Sequence, residues 1–571
     1  MNHPLLQKAS IVFSPTAYGT STLNSIKPAY ALGTELVTNG NFANGTTDWL
    51  SPDYNSTLSI VDGQMKIVNT ISLGRVRQAV TTVVGKTYLA SATVTNIDSS
   101  SGIQLKLSNG SNLDGAFFSS TNNTTTSPVT YTHKFTATAT TTYIGSSQGS
   151  GVGQSGLLDD VSLKEVTDAD FEFKRSTTAT RVNKSGLIES VAVKIPRIDY
   201  LNGVGVYLNE WQSTNTATYS NDFTQGDIFG GSGNPTPVNS VITATSTTSP
   251  DGSNNGWKLA DNNDGGTGTV QMAYYTTNLT SGDSNTFSVF LKKGVLDFGY
   301  IKSSGYDSSG NGTSHFNLST GAIASADANH SDVKMEDYGN GWYRCSVSNR
   351  TTTDVVGSFV VGLSQASGGT GVGTRDGTKF LYMFGVQAEA NSDTDIDSFL
   401  TSYIPTSGAA VTRIKDVAIN AGNSHLINSP EGVFYLNLAG NARTFASTRR
   451  ISLSDGTNDN SVRFDFGTTE DRITMRVRVG GSNVTTETNT GNYNISEFHK
   501  YAIQWKLNDF KIYIDGVEVH TDTSGATFSA NTLDRLNFGS YAEGSNMEGK
   551  IKCIAVFKET LTDAELVTLT S

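Results

Sequence analysis

An all-β fold of serial sandwiches is the class this sequence predicts, and three observations predict it. Apolar and polar residues alternate along Lys86-Thr87-Tyr88-Leu89-Ala90-Ser91-Ala92-Thr93-Val94, the period of a half-buried strand. Alternation also flanks Asp515-Gly516, a pair that tolerates the positive φ angles of a two-residue type I′ hairpin. The palette agrees: 58 Gly and only 16% charged residues suit a chain whose strands draw on Thr and Val and whose turns draw on Gly and Asn. Disorder is the competing reading of so polar a chain. The 22 Tyr, 26 Phe and 5 Trp lie within alternating runs that can bury apolar area, which argues against it.

At 571 residues the chain exceeds one core, and about 100–200 residues per domain predicts three or four. Residues 1–34 read as an extended N-terminal arm: Ile11 to Tyr18 offers one short strand, then Pro28 and Gly33 interrupt it. Too short for a core of its own, the arm is expected to dock elsewhere. Residues 35–167 read as a strand-rich domain opening on Glu35–Phe42 with Trp49 and closing on Gly156–Leu163. Residues 168–211 change texture, with Arg181, Lys184 and Arg197 in an acidic chain and a rigid Pro196, and read as a structured connector that could pair strands across subunits.

A second domain of the same plan spans 212–412, with strands around Trp257–Asp261, Phe287–Lys292 and Gly341–Val347 and a close at Phe380–Glu389. Residues 413–571 complete the chain. There Thr562 and Glu565 have the spacing of a capping box, predicting a short closing helix.

The tail from Trp505 to Val519, continued by Gly549–Phe557 and Leu561–Leu566, resembles the laminin-G-like or concanavalin A-like family. The opening and closing strands of 35–167 resemble carbohydrate-binding-module jelly rolls, and 212–412 repeats that plan. Segments 14–28, 180–200 and 402–413 resemble pieces of bacteriophage tail and fibre proteins. The resemblance implies serial β-sandwiches that bind rather than cleave. Repeated weak sites on one chain gain by effective concentration.

Signals for chemistry are sparse. Seven His residues are scattered with no pair at metal-ligand spacing. Gly145-Ser146-Ser147-Gln148-Gly149 has the form of a nucleophile elbow without the strand-turn-helix context, and reads as a loop. Glycanases need paired carboxylates on one face. Arg463-Phe464-Asp465-Phe466 presents one and stops, whereas Asp168, Asp170 and Glu172 alternate but fall where the connector begins, away from a cleft-forming strand. No catalytic residue is predicted and the chain is expected not to be an enzyme. No cofactor is required. The jelly-roll resemblance implies a structural calcium at Asn41 and Asp160, although Ala43 stands where an acidic residue is usual.

Sugar recognition would stack an aromatic on a pyranose and add hydrogen bonds. Trp49, Tyr54, Phe117 and Phe118 in predicted loops are candidates, with core packing the alternative for Trp49. In the tail, Arg449, Asp455, Asn458, Arg472 and Tyr541 are candidates.

A formal charge of −12 without a Lys/Arg cluster argues against nucleic acid. Cys345 and Cys553 fall in different predicted domains, so no disulfide framework is expected and folding in a reducing cytosol is permitted. Met1–Lys8 lacks a secretory signal, and no run approaches the ~20 apolar residues of a membrane span. These features together lead to the expectation of a bacteriophage virion structural protein: a fibre or tail-associated adhesin, homotrimeric, assembled in the host cytoplasm, held to other virion proteins by the arm and contacting host surface glycans. A head-decorating fibre, a purely architectural virion protein, a glycan depolymerase and a secreted polysaccharide-binding protein are the alternatives.

Overall fold

Three facing pairs of β-sheets follow one another along the chain, closed by an α-helix at Asp563–Thr570. The computed structural model describes residues 3–149, 151–201, 203–224, 236–275, 284–305, 311–350, 357–391, 400–445, 447–539 and 545–571. The fold is the all-β series of sandwiches the sequence predicts.

In the first jelly roll a six-stranded sheet centres on Thr87–Asn96 and Ser155–Thr167, and a four-stranded sheet on Ile103–Ser108 and Thr141–Gln148. Strict alternation along Thr87–Asn96 sends Tyr88, Ala90, Ala92 and Val94 into the core with Ile67, Leu105, Ile144 and Leu158. The opening strand is Ala31–Glu35, upstream of the predicted Glu35–Phe42, and it pairs with Ser155–Thr167. Gly33, expected to break the chain's extension, sits inside it. This is an edge strand whose five residues are all exposed, so a missing side chain costs it no packing. The Gly145–Gln148 run is strand rather than loop. Gly145 is required there because a Cβ would stand 2.0 Å or less from the Val76 carbonyl oxygen, at 1.9 Å.

The second jelly roll repeats the plan with a seven-stranded sheet and a six-stranded sheet. The strands Ser284–Lys293, Trp342–Arg350 and Phe380–Asn391 lie side by side in the latter. Cys345 is in its core, and Cys553 is buried in the C-terminal sandwich; neither forms a disulfide.

The C-terminal sandwich is not made by the C-terminal third alone. Its larger, eight-stranded sheet contains Gly549–Phe557, and one edge of that strand pairs with two distant pieces of chain laid end to end. Ile11–Phe13 aligns with Ile554–Val556, and Tyr207–Asn209 of the strand Val206–Asn209 with Gly549–Ile551. The arm and the connector thus cover a sheet edge that would otherwise offer open hydrogen-bonding groups. Phe13 from the arm, Phe171 and Tyr207 from the connector, and Phe538 from the tail meet in one aromatic group; Phe171 and Phe538 stack with centroids 4.7 Å apart, and Phe13 meets Phe171 edge-on at 5.6 Å. Each such ring contributes roughly 2–3 kcal/mol by leaving water. Leu5 and Leu6 pack beside the closing helix, and Lys8 pairs with Glu565 at 2.5 Å. Segments 1–34, 168–211 and 413–571 therefore share one scaffold, from which the two jelly rolls leave and to which they return. The expected cross-subunit pairing of the connector is satisfied here within one chain.

A buried ionic network holds the crossing point. Arg197, fully buried, donates to Glu210 (2.6 Å), to Ser402 Oγ (2.8 Å) and to Asp416. Arg175 donates to the other Asp416 oxygen at 2.9 Å, and Arg413 lies 3.4 Å from Glu210. Burial alone would raise the Glu210 carboxyl, but Arg413 and Arg197 outweigh it and hold the group well below the usual carboxylate range.

The Asp515-Gly516 hairpin and the capping box form as predicted. Ile514 pairs with Val517 across a two-residue turn with φ of 45° and 81°. Thr562 accepts from Glu565 N, and Glu565 accepts from Thr562 N at 2.9 Å.

Candidate functional site: an arginine-bearing sheet face

The smaller, five-stranded sheet of the C-terminal sandwich runs in the order Ser482–Thr490, Arg472–Val479, Ser461–Phe466, Arg449–Ser454, Arg535–Asn537. Its inner face is apolar because Ile451, Leu453, Val462, Phe464, Ile473, Met475 and Val477 alternate into the core. Period two then commits the residues between them to the other face. That face carries Arg450, Ser452, Arg463, Asp465, Arg476 and Arg478.

Register places Arg463 directly opposite Arg476, Ser461 opposite Arg478, and Arg450 opposite Asp465. Asp465 is claimed in two-point fashion by Arg450, at 2.6 and 3.2 Å. Both of its oxygens are thus engaged by one guanidinium. Arg463, 3% exposed, donates one bond to Asn458 at 2.8 Å, and its Nε lies 3.9 Å from Asp465 with no hydrogen-bond partner among the described residues. Burial, and after it the Arg450 charge, lower the Arg463 guanidinium to about 10; burial also lowers Arg476. The adjoining strand contributes Thr486 and Thr488 opposite Arg476 and Thr474, so the basic group is flanked by hydroxyls.

The expectation of no basic cluster is corrected here. The arginines are separated in sequence and converge across strands. The Arg472-x-Thr474-x-Arg476-x-Arg478 alternation in an acidic chain was the readable signal.

The other predicted residues are dispersed. Trp49 is core, 4% exposed, tilted against Phe42 at 5.3 Å and donating from Nε1 to the Asn39 carbonyl at 3.0 Å, so it offers no sugar platform. Phe117 is 43% exposed and lies 5.0 Å from Phe135, while Phe118 stacks on His133 at 3.7 Å. Arg449 is buried in an ion pair with Glu548 at 2.9 Å and covers Trp211, a structural role rather than a loop contact. Asp455 caps its own loop through Thr457 and Asn460; burial opposes ionisation, yet these bonds hold its carboxyl below the usual range. Arg472 opens its strand, half-buried, beside the arginine group. Tyr541 and the side chain of Tyr54 lie outside the described residues.

At the two positions named for calcium, Asn41 Oδ1 accepts from Ala43 N at 3.3 Å and Asp160 is an exposed bulge residue at φ 47°. Among the described residues no group of three or more His, Cys, Asp or Glu could hold a metal.

A second feature departs from expectation. Asp168, Asp170 and Glu172 border a cleft of about 360 Å³ between the first jelly roll and the scaffold, with Lys134, Asp534 and Arg535. The prediction that this run lies away from a cleft is wrong because Phe171 and Phe173 turn into the sandwich core and leave the acidic positions facing outward. Each carboxylate is engaged by the chain. Lys134 binds both Asp168 oxygens at 2.8 and 2.9 Å, Ser25 donates twice to Asp170, and Asn420 donates to Glu172 at 3.3 Å. Burial raises the Asp170 carboxyl.

The model of the concanavalin A-like lectin/glucanases superfamily matches residues 437–567. No curated protein matches the chain. Similar solved structures include the Ruminococcus gnavus IT-sialidase CBM40 bound to alpha2,3 sialyllactose, 16% identical over 25% of this chain and 84% of that one, with a TM-score of 0.22. The N-terminal CBM22-1-CBM22-2 tandem domain of Paenibacillus barcinonensis Xyn10C is 13% identical over 64% of this chain and 100% of its own, at 0.23. The heptameric SAP-like pentraxin of Limulus polyphemus is 11% identical over 25% and 71%, at 0.21. The chain is a series of β-sandwiches, the last of which contains the stretch that matches the concanavalin A-like superfamily model.

Proposed function

We propose that this protein is a glycan-binding adhesin without catalytic activity, displayed on a bacteriophage particle. The observation that carries the glycan reading is the outer face of the lectin-like sheet, where guanidiniums and hydroxyls are presented together on a rigid strand framework. Rigid strands position such groups better than loops do. The virion setting rests on the fibre-like segments 14–28, 180–200 and 402–413, and homotrimerisation, arm anchoring and exposure on the particle surface belong to the same proposal.

Deleting 413–571 is not a clean test, since it would strip partners from Ile11–Phe13 and Val206–Asn209. The test is retention of the whole chain on immobilised host capsule and lipopolysaccharide, with immunogold imaging of particles. Binding without new reducing ends is the expected result; absence of binding to any surface glycan overturns the reading.

The acidic cleft favours one second reading, a glycan depolymerase acting at Asp168, Asp170 and Glu172. It requires new reducing ends that disappear in Asp170→Asn.

A further inference from the structure

We infer that the outer face of the five-stranded sheet is a binding site for the acidic substituent of a glycan, a carboxylate or sulfate held among Arg450, Arg463, Arg476 and Arg478. This inference rests on the glycan-binding reading and specifies its ligand.

Like charges directly opposite on neighbouring strands destabilise a sheet, yet Arg463 faces Arg476, and Arg478 follows two residues on along the same face. Among the described residues four guanidiniums gather about a single carboxylate, in a chain whose overall charge is −12. Asp465 is already occupied by Arg450, so among the described residues the remaining cations have no anion of their own on this face. Local rules broken without a folding benefit mark functional positions.

Among the described residues Arg463 Nε and Ser461 Oγ, on residues each 3% exposed, have no hydrogen-bond partner, and the buried Nε atoms of Arg476 and Arg478 have none either. A buried donor left unmade is costly. Beside Arg463 a void of about 10 Å³ is bounded by Arg450, Ser452, Ser454, Thr457, Asn458 and Ser461. The void itself admits no more than about one water. A ligand oxyanion therefore approaches along the half-buried heads of Arg450, Arg476 and Arg478, with Arg463 below them.

Guanidinium geometry matches a two-oxygen acid group, and paired N–H···O bonds to an anion are the stronger kind. Thr486 and Thr488 on the adjoining strand supply hydroxyls for the sugar that carries the acid.

The test uses the whole chain with three polymers of one backbone: dextran sulfate, carboxymethyl-dextran and uncharged dextran, plus a single-stranded DNA oligonucleotide. Arg476→Gln/Arg478→Gln is the principal variant because both side chains are half-buried and their loss spares the core; Lys293→Gln in the second jelly roll is the control. The wild type should bind one or both charged dextrans, more weakly as NaCl rises, and the double variant should bind about tenfold less tightly or worse, with an unchanged melting temperature. Sulfate and carboxylate are told apart by which polymer binds. Wild-type affinity in the double variant, absence of binding to both charged dextrans, or equal affinity for DNA overturns the inference. A neutral host glycan that binds the double variant as well as wild type would sink this site while leaving the adhesin reading intact, whereas failure of every glycan sinks both.

Discussion

Replacing Asp416 by Asn keeps the shape of the buried crossing point and removes half its negative charge. Asp416 serves Arg175 through one oxygen and Arg197 through the other, and it also accepts from Glu210 N at 3.1 Å. Without it Arg175 retains only backbone carbonyls, those of Thr177, Val191 and Ala192 at 2.9, 3.5 and 2.7 Å, and Arg197 and Arg413 are left to share Glu210. Breaking a buried pair from one side costs about 3–5 kcal/mol because the orphaned cation stays desolvated. The affected unit is the scaffold of residues 1–34, 168–211 and 413–571, a size at which each kcal/mol shifts melting by roughly 2–4 °C. Scanning calorimetry of the whole chain should therefore show one transition lowered by about 6–20 °C, with the jelly-roll transitions in place. Adding Arg175→Met removes the orphaned cation and should restore part of the loss, a coupling read from the double-mutant cycle. A scaffold transition within about 2 °C of wild type in Asp416→Asn would refute the argument that this network holds the three segments together.

The remaining expectations concern acid and the arm. His330 is buried between Ser303 Oγ (2.9 Å) and Ser314 Oγ (2.7 Å), and burial lowers its pKa to about 4 against a partial opposing pull from Asp327. Because the folded state resists protonation, its contribution is intact above the ordinary histidine value and falls away as pH drops towards 4, by about 3 kcal/mol at most. The second jelly roll's melting temperature should thus decline between pH 6.5 and 4, and His330→Asn should flatten that decline; a parallel decline in the variant counts against the assignment. Removing residues 1–13 uncovers the edge of Gly549–Phe557 and takes Phe13 from the core, so the truncated chain should lose several kcal/mol and aggregate on light scattering. Unchanged melting after that truncation would mean the arm's strand is dispensable.

Local features were readable because their causes are local. The Asp515-Gly516 turn, the Thr562–Glu565 cap and the alternation of Thr87–Asn96 each depend on residues a few positions apart. That the arm docks follows from its length, but its partner is not legible because nothing near Ile11 announces Val556; the pairing is set by a sheet edge more than 500 residues away. For Trp49 the sequence leaves sugar stacking and core packing both open, and Phe42 and the Asn39 carbonyl decide for the core. The arginine face was missed for a related reason: Arg450, Arg463 and Arg476 adjoin only through register, which the sequence specifies weakly until the inner face is assigned. The acidic run at 168–172 was seen, but its exposure to a cleft depends on how the first jelly roll docks.

Pairing Ile11 with Val556 also sets a timetable for biosynthesis. At a ribosomal pace of about 5–20 residues per second, the arm's strand waits roughly half a minute to two minutes before its partner emerges. Both jelly rolls, whose strands are contiguous in sequence, can mature during that interval on a scaffold still lacking its final strand. A nascent chain arrested before residue 549 would carry two finished domains and one unfinished one, and a holdase that shields Phe13 and Tyr207 would find its substrate there.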